Sequence, residues 1–246
     1  MRASSFTQER SLPIHHVDII HAPHPIFKMN VKKLQALFFD FDGVLIDSNF
    51  IKNEAFRVLF QPYGDHVVSE VIAHHQQHGG ISRVEKIRYA FEKIMRRSLT
   101  EDMLQQLATQ YSQLVAEKVT AAPWIAGAKS FLDEIQGRVP LFVISGTPQE
   151  ELQTIIRQRN MAHYFLAVMG SPVHKPDHIK VLQQRYNFNL QNCLFIGDAH
   201  TDHQTALTCN IPFIGIQGDY IFPDYVTVLP DCTSLKAAIS GIFHSF

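Results

Sequence analysis

Two acidic side chains follow an apolar run near residue 40. Asp40 and Asp42 flank a single residue and precede Gly43, after the apolar residues 36–39. Side chains at alternate positions of an extended backbone lean the same way. Carboxylates crowded in this way raise each other's proton affinity unless a cation offsets the repulsion, so the pair indicates a bound hard cation or acid/base chemistry. Taken alone, the segment is equally consistent with a strand and an ordinary Asp-Gly turn.

Three later segments place polar side chains after apolar runs or before a helix start. Their polar residues are Ser145, Gly146, Thr147, Lys175, Asp198 and Asp202. Ligands of parallel α/β sheets bind beyond the carboxyl ends of the strands, so we expect these side chains near Asp40 and Asp42. Ser145 and Lys175 also have plain interpretations, as part of a helix N-cap and as a solvated surface lysine.

In this order the segments resemble the four motifs of the haloacid dehalogenase-like superfamily: an Asp-x-Asp pair, a serine or threonine, a lysine and a final acidic cluster. The resemblance extends from about Lys32 to the C terminus. It implies phosphohydrolase activity with Mg²⁺ as cofactor. The expected ligands are Asp40, Asp198 and the main-chain carbonyl of Asp42, which match the oxygen ligands and octahedral geometry that this ion prefers.

The resemblance also implies a role for each motif residue. Asp40 is the expected nucleophile, forming an aspartyl-phosphate, and Asp42 the expected general acid and base. Lys175 and Mg²⁺ would offset the phosphoryl charge that repels an anionic nucleophile. Asp202 follows Asp198 by one helical turn and would orient Lys175 or a metal-bound water. The other expected phosphoryl contacts are the Ser145 hydroxyl and backbone N–H groups at Gly43, Gly146 and Thr147.

The alternation of apolar runs and amphipathic stretches predicts an α/β fold. The expected strands are residues 36–41, 141–144, 193–196 and 213–216, and the helices between them include 125–135 and 149–159. This pattern indicates a doubly wound, Rossmann-like parallel sheet, formed by residues 32–47 and 123–246. Residues 48–122 show helical periodicity, lack a convincing strand and are too long for a crossover, so we predict an inserted α-helical cap there.

A helical cap at this position resembles the subgroup that contains phosphoglycolate phosphatase, β-phosphoglucomutase and phosphonatase. Ser82 and Glu85 fit a capping box, which places Arg83 at a helix start. Arg83 resembles an arginine of the β-phosphoglucomutase cap, so it is expected to bind the substrate end remote from the reaction; the alternative is a solvent-facing arginine. His74 and His78 are one helical turn apart but lack an evident third metal ligand.

Composition agrees with an enzyme of this kind. The chain has 246 residues, 46% of them hydrophobic, and a formal net charge of −1, which argues against nucleic acid as the main partner. Its three cysteines form no CxxC motif and are odd in number, which favours a cytoplasmic location. No apolar run reaches the ~18 residues of a membrane span. Residues 1–31 are predicted to be a poorly ordered extension, and Met29 could be the native start.

The expected function is therefore a Mg²⁺-dependent phosphatase acting on a small phosphorylated metabolite, such as a sugar phosphate or a phosphoglycolate-like compound. The alternatives are a sugar-phosphate mutase, a phosphonatase with Lys52 as its Schiff-base lysine, and a catalytically silent ligand-binding protein. Lys52 stands where the mutase has a histidine, which weakens that alternative. Asp42 argues against dehalogenation, because a halide leaving group needs no proton. The sequence leaves the oligomeric state open.

Overall fold

A computed structural model describes residues 33–243 of the chain. Among these residues, one sheet of six parallel strands has the order β3-β2-β1-β4-β5-β6. The strands are β1 (Ala36–Phe39), β2 (Leu141–Pro148), β3 (Ala167–Ser171), β4 (Cys193–Gly197), β5 (Phe213–Ile216) and β6 (Val228–Leu229). The central position of β1 places the residues that follow it in the middle of the sheet's carboxyl edge.

Helices cover both faces of this sheet and fill the long connection after β1. That connection contains α1 (Asn49–Phe60), α2 (Asp65–Gln77), α3 (Arg83–Tyr89), which continues into a π-helical stretch (Ala90–Ile94), and α4 (Glu101–Ala121). The helices after it are α5 (Ala128–Ile135), α6 (Gln149–Gln158), α7 (Lys175–Tyr186), α8 (His200–Cys209) and α9 (Leu235–Ile242). No helix in the described part of the chain is long and apolar enough to cross a membrane.

The apolar run of β1 is explained by burial on both faces of the sheet. Leu37 and Phe39 point into one hydrophobic cluster, whereas Ala36 and Phe38 point into a second one on the opposite face. Alternation of this kind requires apolar residues at every position of a strand, as is typical of parallel sheets covered by helices. The predicted doubly wound α/β fold is confirmed by this arrangement and by the solved structures compared below.

The two edge strands were not predicted from the sequence. β3 contains Gly170 and has only partly buried residues at its first three positions, so it lacks a continuous apolar run. β6 has two residues and none of them is fully buried. The predicted strand over 36–41 ends at Phe39, and the predicted helix over 125–135 begins at Ala128. The edge strands β3 and β6 have a weaker hydrophobic pattern in the sequence because many of their residues are only partly buried.

The stretch from residue 48 to residue 122, called the helical segment below, contains helices and no strand of the sheet. Its helices pack through aromatic side chains: the Phe56 ring lies 4.5 Å from the Tyr111 ring and 6.4 Å from the Phe60 ring, measured between centroids. The division into a cap at 48–122 and a core at 32–47 and 123–246 stays a prediction. The expectation for residues 1–31 lies outside the described residues.

Candidate active site

The turn after β1 brings the predicted acidic residues to the edge of the sheet. The backbone N–H of Asp40 donates to the carbonyl of Ile196 on β4, which ties the two strand ends together. Gly43 has a φ of +77°, and a Cβ at that position would lie 2.1 Å from Oδ2 of Asp198. Only glycine fits this turn, because a side chain there would both strain the backbone and displace Asp198.

Three buried carboxylates meet at this edge. Oxygen atoms of Asp40, Asp198 and Asp202 all lie within 4.8 Å of one another. Nζ of Lys175 lies 2.9 Å from Oδ1 of Asp40 and donates to Oδ1 of Asp202 at 2.6 Å. Asp202 also accepts the backbone N–H of Ala199 at 3.1 Å, which fixes its carboxylate at the start of α8. The structure therefore places Asp202 where it orients Lys175.

This cluster has too little positive charge for its carboxylates. Burial, together with the neighbouring Asp202 and Asp42, raises the pKa of Asp40 to about 7 despite the opposing charge of Lys175. Burial and the charges of Asp40 and Asp202 raise the pKa of Asp198 well above its usual range. Conversely, the pKa of Lys175 is raised, because Asp202 and Asp40 outweigh the effect of burial. A cation beside Asp40 and Asp198 would relieve this repulsion.

Mg²⁺ fits this group of side chains. Oδ1 of Asp40 is buried against Nζ of Lys175, and Oδ2 accepts no hydrogen bond in the described part of the chain, which leaves Oδ2 as an oxygen ligand. Among residues 33–243, the side chain of Asp198 accepts a hydrogen bond only from the amide of Asn49, at 2.7 Å on its Oδ2 atom. Hard oxygen donors from one or two carboxylates are the usual protein contribution to a magnesium site. Of the predicted metal ligands, Asp40 and Asp198 lie together, and ligation by the main-chain carbonyl of Asp42 stays a prediction.

The carboxylate of Asp42 lies in a separate set of hydrogen bonds. It accepts the hydroxyls of Ser48 at 2.6 Å and Thr147 at 3.0 Å, and it forms an ion pair with Lys52. Burial alone would raise the pKa of Asp42, but Lys52 and the hydrogen bonds outweigh it and hold the pKa below its usual range. In this arrangement Asp42 is ionised, which is the form that accepts a proton.

The end of β2 supplies the other predicted phosphoryl contacts. Oγ of Ser145 accepts the backbone N–H of Thr147 at 3.1 Å, so the side chain and this amide are paired with each other. A Cβ on Gly146 would lie 2.3 Å from the carbonyl oxygen of Gly80, which shows how closely the helical segment approaches this strand. Ser145, Gly146 and Thr147 all line the same cavity as Asp40 and Asp42.

This cavity lies between the sheet and the helical segment. One side, called the sheet wall, is formed by Asp40, Asp42, Ser145, Gly146, Thr147 and Asp198. The opposite side, called the helical wall, is formed by Lys52, Asn53, Phe56, His75, Lys86 and Tyr111. Lys175 is not one of the lining residues and reaches the site through its contact with Asp40.

Arg83 makes contacts within the protein that the sequence did not predict. Ser82 caps α3 as expected, since its Oγ accepts the N–H of Glu85 at 3.3 Å. However, the Arg83 guanidinium donates to Oε1 and Oε2 of Glu151 at 2.6 and 2.9 Å, and to Ser112 as well. This bidentate pair joins the helical segment to α6 of the sheet layer. An internal carboxylate therefore pairs with the guanidinium, and the expectation that Arg83, which lines the cavity, binds substrate stays a prediction.

His74 and His78 form a stack instead of a metal site. The His74 ring lies 3.7 Å from the Tyr89 ring and 4.2 Å from the His78 ring, between centroids. Burial and the nearby positive charges lower the pKa of His74 to about 4. Within residues 33–243, the metal-type cluster of side chains comprises the three aspartates and neither histidine.

Two residues of α1 were not predicted to position the acids. Asn49 contacts Asp198, and Lys52 contacts both Asp42 and Thr147, its Nζ lying 3.0 Å from Oγ1 of the latter. Their spacing of three residues places them on one face of the helix. That spacing, directly after the acidic motif, is the signal that could have identified them.

Comparisons with known proteins agree with this geometry. Residues 37–216 match the model of the family described as haloacid dehalogenase-like hydrolase. The chain is 27% identical over 184 residues to a 6-phosphogluconate phosphatase of Escherichia coli (strain K12), covering 72% of this chain and 80% of that protein. It is 25% identical to a phosphorylated carbohydrates phosphatase of Thermotoga maritima, covering 72% of this chain and 82% of the relative.

A solved structure extends the comparison to the whole fold. The chain superimposes on β-phosphoglucomutase from Clostridium difficile with a TM-score of 0.71 and 19% identity, covering 86% of this chain and 97% of that one. A likeness at this level of identity shows the shared fold, whereas activity depends on the residues of the site.

Proposed function

The chain belongs to the haloacid dehalogenase-like hydrolases, and from this membership we propose that it is a Mg²⁺-dependent phosphatase that hydrolyses a small phosphorylated sugar or sugar acid. The observation that carries the proposal is the buried carboxylate of Asp40, which contacts Lys175 through Oδ1 and lies in one cluster with Asp198 and Asp202. The predicted enzyme class, a phosphoric monoester hydrolase, agrees with the names of the curated relatives. The predicted cytoplasmic location remains a prediction.

In this proposal Asp40 attacks the phosphorus atom. A bond forms between a carboxylate oxygen of Asp40 and phosphorus, and the bond from phosphorus to the leaving oxygen breaks. Lys175 holds Asp40 in place, and its charge favours the ionised form of Asp40. Mg²⁺, held by Asp40 and Asp198, would supply the positive charge that lets an anionic nucleophile approach an anionic phosphoryl group.

Asp42 is the proposed group for both proton transfers. In the ionised form seen here, it can take a proton from the water that hydrolyses the aspartyl-phosphate. Donation to the leaving oxygen requires the protonated form, which the ion pair with Lys52 disfavours. We propose that Lys52 leaves Asp42 when substrate enters, since both side chains line the cavity.

The alternatives are less well supported. Likeness to a β-phosphoglucomutase rests on 19% identity, whereas the sequence relatives named above are phosphatases. A Schiff-base role for Lys52 needs an amine that is free to attack, but its Nζ contacts Asp42 and Thr147. A ligand-binding protein without catalysis would not need a free nucleophilic oxygen beside a cluster of acids.

Phosphate release from p-nitrophenyl phosphate tests this proposal. We expect turnover with Mg²⁺ and loss of turnover when EDTA removes the ion. Adding Mg²⁺ back should restore activity, whereas Ca²⁺ should not, because its larger and looser coordination shell misplaces the nucleophile. Turnover that is unchanged in EDTA, or no turnover with any aryl or sugar phosphate in Mg²⁺, would contradict the proposal.

A further inference from the structure

The helical wall contains a buried lysine without an acidic partner. Lys86, on α3, is 4% exposed. Its Nζ contacts Nδ1 of His75 and lies 3.5 Å from the His75 carbonyl oxygen, and it forms no ion pair with any carboxylate among residues 33–243. Buried charges are normally paired, so an unpaired one facing a cavity indicates an anion that arrives from outside.

A second polar group of the same wall also lacks a partner. Oδ1 of Asn53, on α1, is buried and accepts no hydrogen bond in the described residues. A buried oxygen left without a donor costs free energy, unless a ligand or water supplies one. Asn53 and Lys86 line the same cavity, so that cavity has an unpaired cation and an unpaired acceptor on one side.

The contacts of α1 show that Asp198 and Lys86 lie beside different turns of this helix. Asn49 touches Asp198, and two turns later the ring of Phe56 lies 4.7 Å from the His75 ring and 6.0 Å from Nζ of Lys86. Two helical turns correspond to roughly 10 Å along the axis. A ligand that contacts both Asp198 and Lys86 would therefore run along α1, where Asn53 also lines the cavity.

Resting on the proposed function for the phosphoryl end, we propose that Lys86 and Asn53 form a subsite for the remote end of a phosphorylated sugar acid. Lys86 would bind the carboxylate, and Asn53 Oδ1 would accept a hydrogen bond from a neighbouring hydroxyl. The phosphoryl group would lie at Asp40 and Asp198. A sugar acid has more chain with which to reach from Asp40 to Lys86 along α1 than a compound as short as phosphoglycolate.

The charges of the helical wall favour a carboxylate over a second phosphate. Lys52 is paired with Asp42, and Arg83 is paired with Glu151, so Lys86 is the cation of this wall that lacks a carboxylate partner within the described range. One ammonium matches a single negative charge, whereas a phosphate dianion is usually bound by several cationic donors. Burial and the neighbouring Lys52 lower the pKa of Lys86 to about 7, as expected for an ammonium that lacks its anion.

Matched substrates test this subsite directly. 6-Phosphogluconate and sorbitol 6-phosphate have chains of the same length, and they differ in carrying a carboxylate or an alcohol at the remote end. We expect Lys86→Met to lower kcat/KM for 6-phosphogluconate roughly 10- to 100-fold, mainly through KM, and to leave sorbitol 6-phosphate and p-nitrophenyl phosphate within about twofold. Equal losses on the three substrates, or no loss on any, would overturn the proposal.

Two controls separate a binding role from a structural one. Lys93→Met removes an exposed lysine of the same segment outside the cavity and should leave all three substrates unchanged. Asn53→Ala offers a second route if Lys86→Met folds poorly, and it should weaken both six-carbon substrates while sparing the aryl phosphate. Equal effects of Asn53→Ala on the aryl phosphate would count against the subsite.

A binding measurement distinguishes this inference from the proposed function. Calorimetric titration of gluconate, which has no phosphoryl group, needs no turnover. We expect wild type to bind gluconate more tightly than Lys86→Met does, with sorbitol bound weakly by both. If no phosphate ester is hydrolysed but this difference is found, the proposed function fails and the subsite stands. If esters are hydrolysed and gluconate binds both proteins equally, the subsite fails alone.

Discussion

The two walls of the cavity balance their charges in opposite ways. The sheet wall has more carboxylates than cations, and burial together with mutual repulsion raises the pKa values of Asp40 and Asp198. The helical wall has Lys86, a buried ammonium without an acidic partner among the described residues, and its pKa is lowered. One wall lacks a cation and the other lacks an anion.

The opposite charge imbalances of the two walls indicate which chemical groups a ligand of this cavity would carry. Asp40 and Asp198 of the sheet wall would hold a metal ion, whose positive charge would offset their repulsion and attract a phosphoryl group. A carboxylate satisfies Lys86 at the other end. A ligand with both groups completes the two walls together, whereas either group alone leaves one wall with an unpaired buried charge.

Removing the nucleophile should produce the largest effect. Asp40→Asn keeps the shape of the side chain but cannot form an aspartyl-phosphate, so we expect kcat to fall by roughly four orders of magnitude or more. The melting temperature should stay the same or rise, because the substitution removes one of the repelling charges. As a control, Asp177→Asn alters an exposed aspartate of α7 and should leave kcat unchanged. Near wild-type turnover by Asp40→Asn would refute the assignment.

The proposed role of Asp42 as general acid should make the effect of its substitution depend on the leaving group of the substrate. We expect Asp42→Asn to slow hydrolysis of sugar phosphates by about 10²- to 10⁴-fold, the usual contribution of general acid–base catalysis. An aryl phosphate has a better leaving group and should lose less in the first step. Steady-state kcat/KM for both substrate classes measures the difference, and identical losses would argue against proton donation by Asp42.

Asp198 should govern the response to metal. Asp198→Asn removes a charged oxygen ligand, so we expect the Mg²⁺ concentration for half-maximal activity to rise by at least the 10- to 100-fold typical of outer-shell partners. Titration of activity with Mg²⁺ measures this shift. An unchanged titration curve would exclude Asp198 as a ligand and remove the main reason for assigning a metal to the sheet wall.

The ion pair of Arg83 and Glu151 should contribute to the stability of the protein. Glu151→Gln leaves a buried guanidinium without its carboxylate, so we expect the free energy of unfolding to fall by roughly 3 kcal/mol, the lower end for buried pairs, since the Glu151 side chain is 16% exposed. Glu101→Gln breaks the exposed pair with Arg88 and should cost less than about 1 kcal/mol. Denaturant unfolding compares the two variants.

An effect of Glu151→Gln on activity, and not on stability, would support the predicted role of Arg83 in substrate binding. If Glu151→Gln left stability unchanged and selectively altered kcat/KM for sugar phosphates, Arg83 would belong with the substrate-binding groups. The structure instead predicts lost stability with similar changes for aryl and sugar phosphates.

The sequence allowed the sheet wall to be predicted better than the helical wall. Asp40 and Asp198 follow apolar runs, and strands of a parallel sheet bring such residues to one edge whatever the loops do. The pairing of Arg83 could not be predicted, because Glu151 lies far along the chain and a local pattern does not show which helix faces Arg83. The unpaired state of Lys86 likewise depends on how α1, α2 and α3 pack together.

Trapping the phosphorylated enzyme tests the central claim most directly. Wild-type protein with Mg²⁺ would be mixed with 6-phosphogluconate or p-nitrophenyl phosphate, quenched in acid within the first turnover, digested and analysed by mass spectrometry. The account predicts that the peptide containing Asp40 gains the mass of one phosphoryl group, and that Asp40→Asn shows no such gain. A phosphoryl group on another peptide, or turnover that continues in Asp40→Asn without any modified peptide, would contradict it.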